Sequence, residues 1–284
     1  NNNVKAVVVY PYSWKFKSEV ELANEAKFID QLYKNKSPAV GVELGAIIGN
    51  ARLEYTDELQ GLIDAYRKAS PTFVGVRDML DWSDEPNANN HARKKDISID
   101  AQWLKGFEII AKNDLVFDAF VNHHQLGEMA GLAKKFPKTQ ILLSHMSTPK
   151  NAMADFKSGS QNEVERLKAI KEWQTDMVKL AKHQNVAVKL SGFFIPKVGW
   201  DFHNSNKQPV VGDIVKKLKP LVDFTIEQFG VERCMFGSHF APDKVSLSFS
   251  MLYDVYREII KDRPLAQQKM LLAGNARKIY RMKL

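Results

Sequence analysis

Four of the seven histidines in this chain close short apolar runs: His123 and His124 in FVNHH, His145 in LLSHMSTP and His239 in MFGSHFAPD. Imidazole changes charge near neutrality and is the commonest metal ligand, so such a set suggests acid–base or metal chemistry. One histidine at a strand end reads as a hydrogen-bonded structural group. Four together point to a ligand-binding or catalytic cleft that holds at least two of them, because each buried polar group otherwise needs its own partner. His145 directly ends its run, with Pro149 in the turn beyond, so its ring should project into the mouth of a site. His123 and His124 would point to opposite faces if both are extended, leaving one for the site.

Other side chains at run ends carry two readings each. Arg77 can clamp a substrate carboxylate through a bidentate pair, or it can pair with Asp78 or Asp81. Lys189 alternates with Val188 and Leu190 and should point inward, where an ammonium needs a carboxylate or a chemical task; Ser191 ends the same run. Trp200, with Phe202 and His203 in VGWDFHN, is either a lid over the site or a packed surface loop. Asp243 either makes His239 a general base or caps a helix that begins near Ser246. There is no Walker loop, GxGxxG, GxSxG or HExxH, so nucleotide-binding, nucleophile-elbow and zincin readings have no support.

The elements that must hold these groups alternate. Seven short β-branched runs, 4–10, 39–44, 72–77, 116–121, 140–144, 186–190 and 233–237, are separated by segments with apolar residues at helical spacing. Leu22, Ala26 and Ile29 mark the first such segment, and Leu59, Leu62, Ile63 and Tyr66 the second. Later helices are expected over 126–136, 164–183, 214–229, 247–260 and 265–280, with Gly230 and Pro264 at helix boundaries. This is the pattern of βα units and a parallel sheet. Open doubly wound sheets and closed eight-stranded barrels both use it, and the count lies close to a barrel. An unpaired barrel edge is costly, so a first strand is expected upstream of Asn1. No repeat or Pro/Gly-rich linker divides the chain, and 1–284 reads as a single domain.

Composition sets the outer limits. With 284 residues, 44% apolar and 26% charged, the chain can bury a large core,. The net charge of +8 is spread singly apart from Arg93, Lys94, Lys95 and Lys216, Lys217, Lys219. Neither cluster is interleaved with aromatics, which argues against nucleic acid as a partner. No run approaches the length of a membrane span. Cys234 is the single cysteine and sits in an apolar run, so it reads as a buried small hydrophobe in a reducing, intracellular compartment, the cytoplasm. The start at Asn1 shows neither an initiator Met nor a signal peptide.

Together these segments resemble the amidohydrolase-2 family of TIM-barrel metal-dependent hydrolases. The resemblance rests on FVGVRDMLDW, on FDAFVNHHQLGEMAGLAKKFPKTQILLSHMSTP, on VAVKLSGFF, on ERCMFGSHFAPDK and on the terminal GNARKIYRM, and it covers the chain from Val4 onward. It implies an α/β fold, a (β/α)8 TIM barrel. Relatives hydrolyse lactones, related esters or C–N bonds, or decarboxylate aromatic acids; many use one divalent metal such as zinc or manganese, and some use none. By this resemblance His145 matches a middle-strand His, and His123 the His of a His-Pro-Gln-Leu segment. His239 stands where the eighth-strand Asp is found, and Asp243 matches an Asp four residues on in some relatives.

Two departures from the family pattern stand out. The chain contains no His-x-His, the family's first-strand metal pair, and an imidazole replaces the carboxylate that takes a proton from water. His145 and His239 as metal ligands then supply two nitrogens, short of the three protein ligands usual at catalytic zinc. The expectation is a hydrolase of a lactone or small carboxylate ester, with His145, His239 and Asp243 catalytic and Arg77, His123, Lys189 and Trp200 binding substrate. Two rivals remain. One is a catalytically degenerate barrel serving as a structural or interaction subunit in a homo-oligomer or larger assembly. The other is a decarboxylase using the same pocket.

Overall fold

The computed structural model describes residues 4–11, 21–35, 41–86, 88–204 and 209–283. They form two compact units: one of residues 121–130 and 143–275, the other of residues 4–120, 131–142 and 276–283. Strands and helices alternate along the chain.

In the second-named unit, strands β1 (Ala6–Val9), β2 (Glu43–Asn50), β3 (Phe73–Met79) and β4 (Val116–Phe120) pair in parallel, each with the next. Helices α1 (Leu22–Lys34), α2 (Thr56–Ala69) and α3 (Ala101–Lys112) follow the first three strands. The apolar spacing that predicts them is also what they bury, as with Ala26 and Ile29 on α1 and Leu59, Leu62, Ile63 and Tyr66 on α2,. Asp100 starts α3 by accepting from the backbone N–H groups of Gln102 and Trp103,. The second strand departs from the expected 39–44, of which residues 39 and 40 lie outside the described residues. It occupies 43–50 because Gly45 and Gly49, which read as breaks in the sequence, are points of close approach. A Cβ on Gly49 would lie 2.4 Å from the Tyr66 ring of α2, and one on Gly45 would lie 2.8 Å from Met282 Sδ,.

The expected basic cluster at 93–95 is consumed by this unit's own carboxylates. Arg93 spans two of them, with Nη1 and Nη2 donating to Asp78 at 2.6 and 2.9 Å and Nε and Nη2 donating to Glu54 at 2.7 and 2.5 Å. Buried Asp78 also accepts from Trp103 Nε1 at 2.8 Å, so the segment after β3 is fastened to α3 and to the end of β2. Lys94 pairs with Asp100 and Lys95 with Asp84.

In the first-named unit, β6 (Val186–Leu190) and β7 (Cys234–Phe236) pair in parallel, packed by α5 (Gln161–Ala181), α6 (Val211–Phe229) and α8 (Phe249–Ile260). Strand β5 (Ile141–Leu143) falls at the division between the units, as does α4 (Leu126–Lys135). Trp173, Met177, Val222, Leu252 and Val255 form part of the core. The expected helix over 265–280 is interrupted: α9 (Leu265–Lys269) runs into a π-turn at Met270–Gly274 before the chain becomes helical again at Asn275–Ile279. Asn275 uses its side-chain amide to donate to the carbonyls of Val231 and Cys234, both at 2.7 Å. The inserted residue of a π-turn is a local means of turning such a side chain toward its partners.

A paired-histidine site at the strand ends

Three chain segments leaving β5, β6 and β7 build the site, all within the first-named unit. After β5 the backbone turns left-handed for three residues, with φ of 59° at His145, 55° at Met146 and 45° at Ser147. Non-glycine residues in this region cost of order 1–3 kcal/mol each, so the surroundings must compensate. Here Thr148 donates to the His145 carbonyl from both its backbone N–H, at 3.1 Å, and its Oγ1, at 3.0 Å. Trp173 Nε1 donates to the Met146 carbonyl at 2.8 Å.

After β6, Ser191 is followed by Gly192, whose φ is +68°. The His145 ring lies against this glycine: a Cβ there would sit 2.7 Å from both Cγ and Nδ1 of His145. Glycine thus serves twice, by accepting the left-handed backbone and by letting the imidazole approach. His145 Nδ1 and Ser191 Oγ are hydrogen-bonded at 2.8 Å.

After β7, His239 also has a left-handed backbone, φ 44°, and opens the short helix α7 (Phe240–Asp243). One helical turn brings the i and i+4 side chains together, and His239 Nδ1 lies 2.8 Å from Asp243 Oδ1,. Asp243 is fully buried, and its other oxygen is 3.4 Å from the Phe194 N–H. Burial pushes the Asp243 carboxyl above its ordinary range, and the bond to His239 partly offsets this,. The Asp243 side chain meets His239, and the cap of α8 is Ser248, which accepts from Met251 N–H.

These segments bring His145 and His239 face to face, with ring centroids 4.1 Å apart and planes tilted by 55°. A carboxylate accepts but does not donate, so Asp243 fixes a proton on His239 Nδ1 and leaves Nε2 as an acceptor. This is the arrangement of a general base held in place by a carboxylate.

Other expected site residues fall as follows. Lys189 is buried in β6, opposite Met235 of β7. Trp200 donates from Nε1 to the Phe193 carbonyl at 2.8 Å and stacks between Phe194 and Phe202, with Lys217 over its ring. Its ring is therefore packed, and it abuts Phe194, whose N–H points at Asp243. His123 and His124 are not extended; they lie in the 3₁₀ turn His123–Gln125 with rings 5.4 Å apart, His123 half-buried and His124 exposed. The strand stops at Phe120, and Asn122 opens the turn through a reciprocal cap with Gln125.

Arg77 belongs to the other unit, and its partner is neither Asp78 nor Asp81. It donates from Nε to buried Asp118 at 2.7 Å and lies over the Tyr10 ring, while Tyr10 donates to Asp118 and meets Tyr280 at 2.7 Å. Side chains of the same face at β3 and β4 become neighbours through the register Arg77↔Asp118, which sequence proximity does not reveal. Asp81 instead holds His91 Nδ1 at 3.0 Å. The sequence reading missed His91, and it gave Ser191 and Gly192 no role; a Ser-Gly pair closing an apolar run was the signal for the latter two.

A catalytic zinc site usually has three protein ligands. Among the described residues no group of three or more His, Cys, Asp or Glu side chains is placed to hold a metal ion. In the imidazole pair each Nδ1 is engaged, by Ser191 and by Asp243. The described residues do not fit a catalytic zinc or manganese ion, and no step below passes through one. No described helix is long and apolar enough to cross a membrane.

A family model described as Amidohydrolase matches residues 50–282. An uncharacterised protein of Sinorhizobium fredii is 25% identical over 236 residues, 83% of this chain and 69% of that protein. An L-fucono-1,5-lactonase of Burkholderia ambifaria is 26% identical over 212 residues, 72% of this chain and 58% of the lactonase, so this chain spans less than two thirds of that relative. The crystal structure of an amidohydrolase from Burkholderia multivorans with bound zinc superposes with a TM-score of 0.73 at 20% identity, covering 98% of this chain and 83% of that one. The structural likeness shows the shared fold, an α/β arrangement of the TIM-barrel type.

Proposed function

Because the chain belongs to the amidohydrolase family, a hydrolase family, we propose that it opens a small cyclic ester, a lactone, or a related carboxylate ester by attack of water. The observation that carries the reading is the His239–Asp243 pair stacked against His145. The likeness to the L-fucono-1,5-lactonase of B. ambifaria supports the choice of lactones.

Water binds at His239, and as its oxygen bonds to the carbonyl carbon its proton passes to His239 Nε2. The carbonyl electron pair moves onto oxygen, where His145 donates a hydrogen bond to the developing charge. Collapse re-forms the carbonyl and breaks the ring C–O bond. The departing alkoxide then takes the proton from His239 Nε2, giving a hydroxy acid. Asp243 stays ionised and steadies the imidazolium through Nδ1–H. A positioned base contributes roughly 10²–10⁴-fold. His123 and Lys189 are proposed to bind the substrate carboxylate, and Trp200 to wall the site.

The test is a lactone panel assayed with the protein and its His145→Ala variant. Turnover that falls by at least tenfold in the variant supports the assignment, and equal rates would sink the role of His145. No turnover on any lactone by the unaltered protein would favour a barrel that works as a non-catalytic subunit.

A further inference from the structure

We propose that Ser191 is a positioning residue that holds His145 in the Nε2–H tautomer, so that the two stacked imidazoles carry opposite tautomers. The inference rests on the hydrolytic reading above for its purpose, but its argument is geometric. Ser191 is 1% exposed. Among the described residues its hydroxyl has one hydrogen-bond partner, His145 Nδ1 at 2.8 Å. A hydroxyl can donate or accept. If Nδ1 carried the hydrogen, Ser191 would accept it, and its own O–H would be buried with no acceptor, at a cost of about 1–3 kcal/mol. Donation from Ser191 removes that cost. Nε2 is a buried atom with no hydrogen bond among the described residues in either tautomer, so one group is left unmet where the alternative leaves two. Donation leaves Nδ1 bare and puts the ring hydrogen on Nε2.

Asp243 writes the reverse pattern on the neighbouring ring. Its carboxylate accepts only, so His239 carries its hydrogen on Nδ1 and offers Nε2 as a base,. A hydroxyl beside one imidazole and a carboxylate beside the other thus divide the labour: His145 donates to an oxyanion and His239 removes a proton from water. Gly192 completes the device, since any Cβ there would push the His145 ring off Ser191.

Long-range ¹H–¹⁵N correlation spectra of histidine-labelled protein at neutral pH, assigned with His145→Gln and His239→Gln, read both tautomers directly. The expected result is a bare Nδ1 and a protonated Nε2 for His145, and the inverse for His239. In Ser191→Ala the His145 signals should become those of a tautomer mixture while His239 is unchanged, and kcat should fall roughly 10–100-fold with KM little altered. A protonated Nδ1 on His145, a doubly protonated ring, or an unaltered His145 tautomer in Ser191→Ala overturns the proposal. Should Ser191→Ala fail to fold, the unaltered protein's spectrum decides. The spectra need no substrate, so absence of lactone turnover beside the expected tautomers would retire the hydrolytic reading and leave this one standing.

Discussion

The imidazoles of His145 and His239 lie 4.1 Å apart, and both residues have left-handed backbones, with φ of 59° and 44°. His145 follows β5 and His239 follows β7, so residues 94 apart in the chain meet at the strand ends. Each strand end spends backbone strain to aim its ring, and Thr148 and Trp173 hold the His145 turn in place. Strained residues of this kind cluster at functional sites.

In the proposed mechanism Asp243 orients His239 through Nδ1. Asp243→Asn keeps the shape of the side chain but can present an amide donor to Nδ1 and so favour the wrong tautomer. On a lactone that the protein turns over, kcat is expected to fall about 10³–10⁴-fold with KM changed by less than a few fold. Steady-state kinetics measure both, and a kcat within tenfold of the unaltered protein would remove His239 as the base.

Gly192→Ala combines a positive φ with a Cβ 2.7 Å from the His145 ring. The expected cost is about 1–3 kcal/mol in urea unfolding. Activity should fall further than stability does, because the ring that must move is the proposed oxyanion donor. Gly159 is the control, since it also has a positive φ, +74°, but nothing lies within 4 Å of its Cβ position. Gly159→Ala should cost stability alone.

Arg93 bridges Asp78 and Glu54 in the other unit. Arg93→Met leaves buried Asp78 with the Trp103 and Leu53 donors but without its cation. A loss of about 3 kcal/mol is expected by chemical denaturation. A change below about 0.5 kcal/mol would show that the bridge is no more than a surface pair.

Stability should decline on the alkaline side. Burial pushes the Cys234 thiol up to about 12 from an ordinary value of 9.0, and the buried Tyr10, Tyr256 and Tyr280 hydroxyls are raised for the same first reason. The folded state therefore keeps protons that the unfolded chain releases, so this stability is present below pH 9 and lost as pH rises toward 12. For Cys234 alone the loss at pH 10.5 is about 2 kcal/mol. Urea midpoints at pH 8 and 10.5 measure it. Cys234→Val should show a visibly smaller drop between the two, whatever its absolute stability.

Much of the architecture is legible in the sequence. Helices over 22–34 and 56–69 follow from three- and four-residue apolar spacing, and strands at 116–120 and 186–190 from β-branched runs, because both patterns are local. The second strand was displaced because glycine is ambiguous in a sequence. At Gly45 and Gly49 it marks a neighbour's approach, from Met282 and Tyr66, that lies far along the chain.

The same division runs through the site. Residue type and position at the ends of apolar runs were enough to name His145, His239 and Asp243 as candidates, and the structure places the three side by side. Which group each one meets was decided by tertiary structure alone. Register set Arg77 on Asp118 instead of Asp78 or Asp81, and the convergence of β6 with the turn after β5 set Ser191 on His145. Hydrogen-bond partners 41 and 46 residues apart leave no local trace, because the energy that joins them exists only once the sheet has brought their strands together.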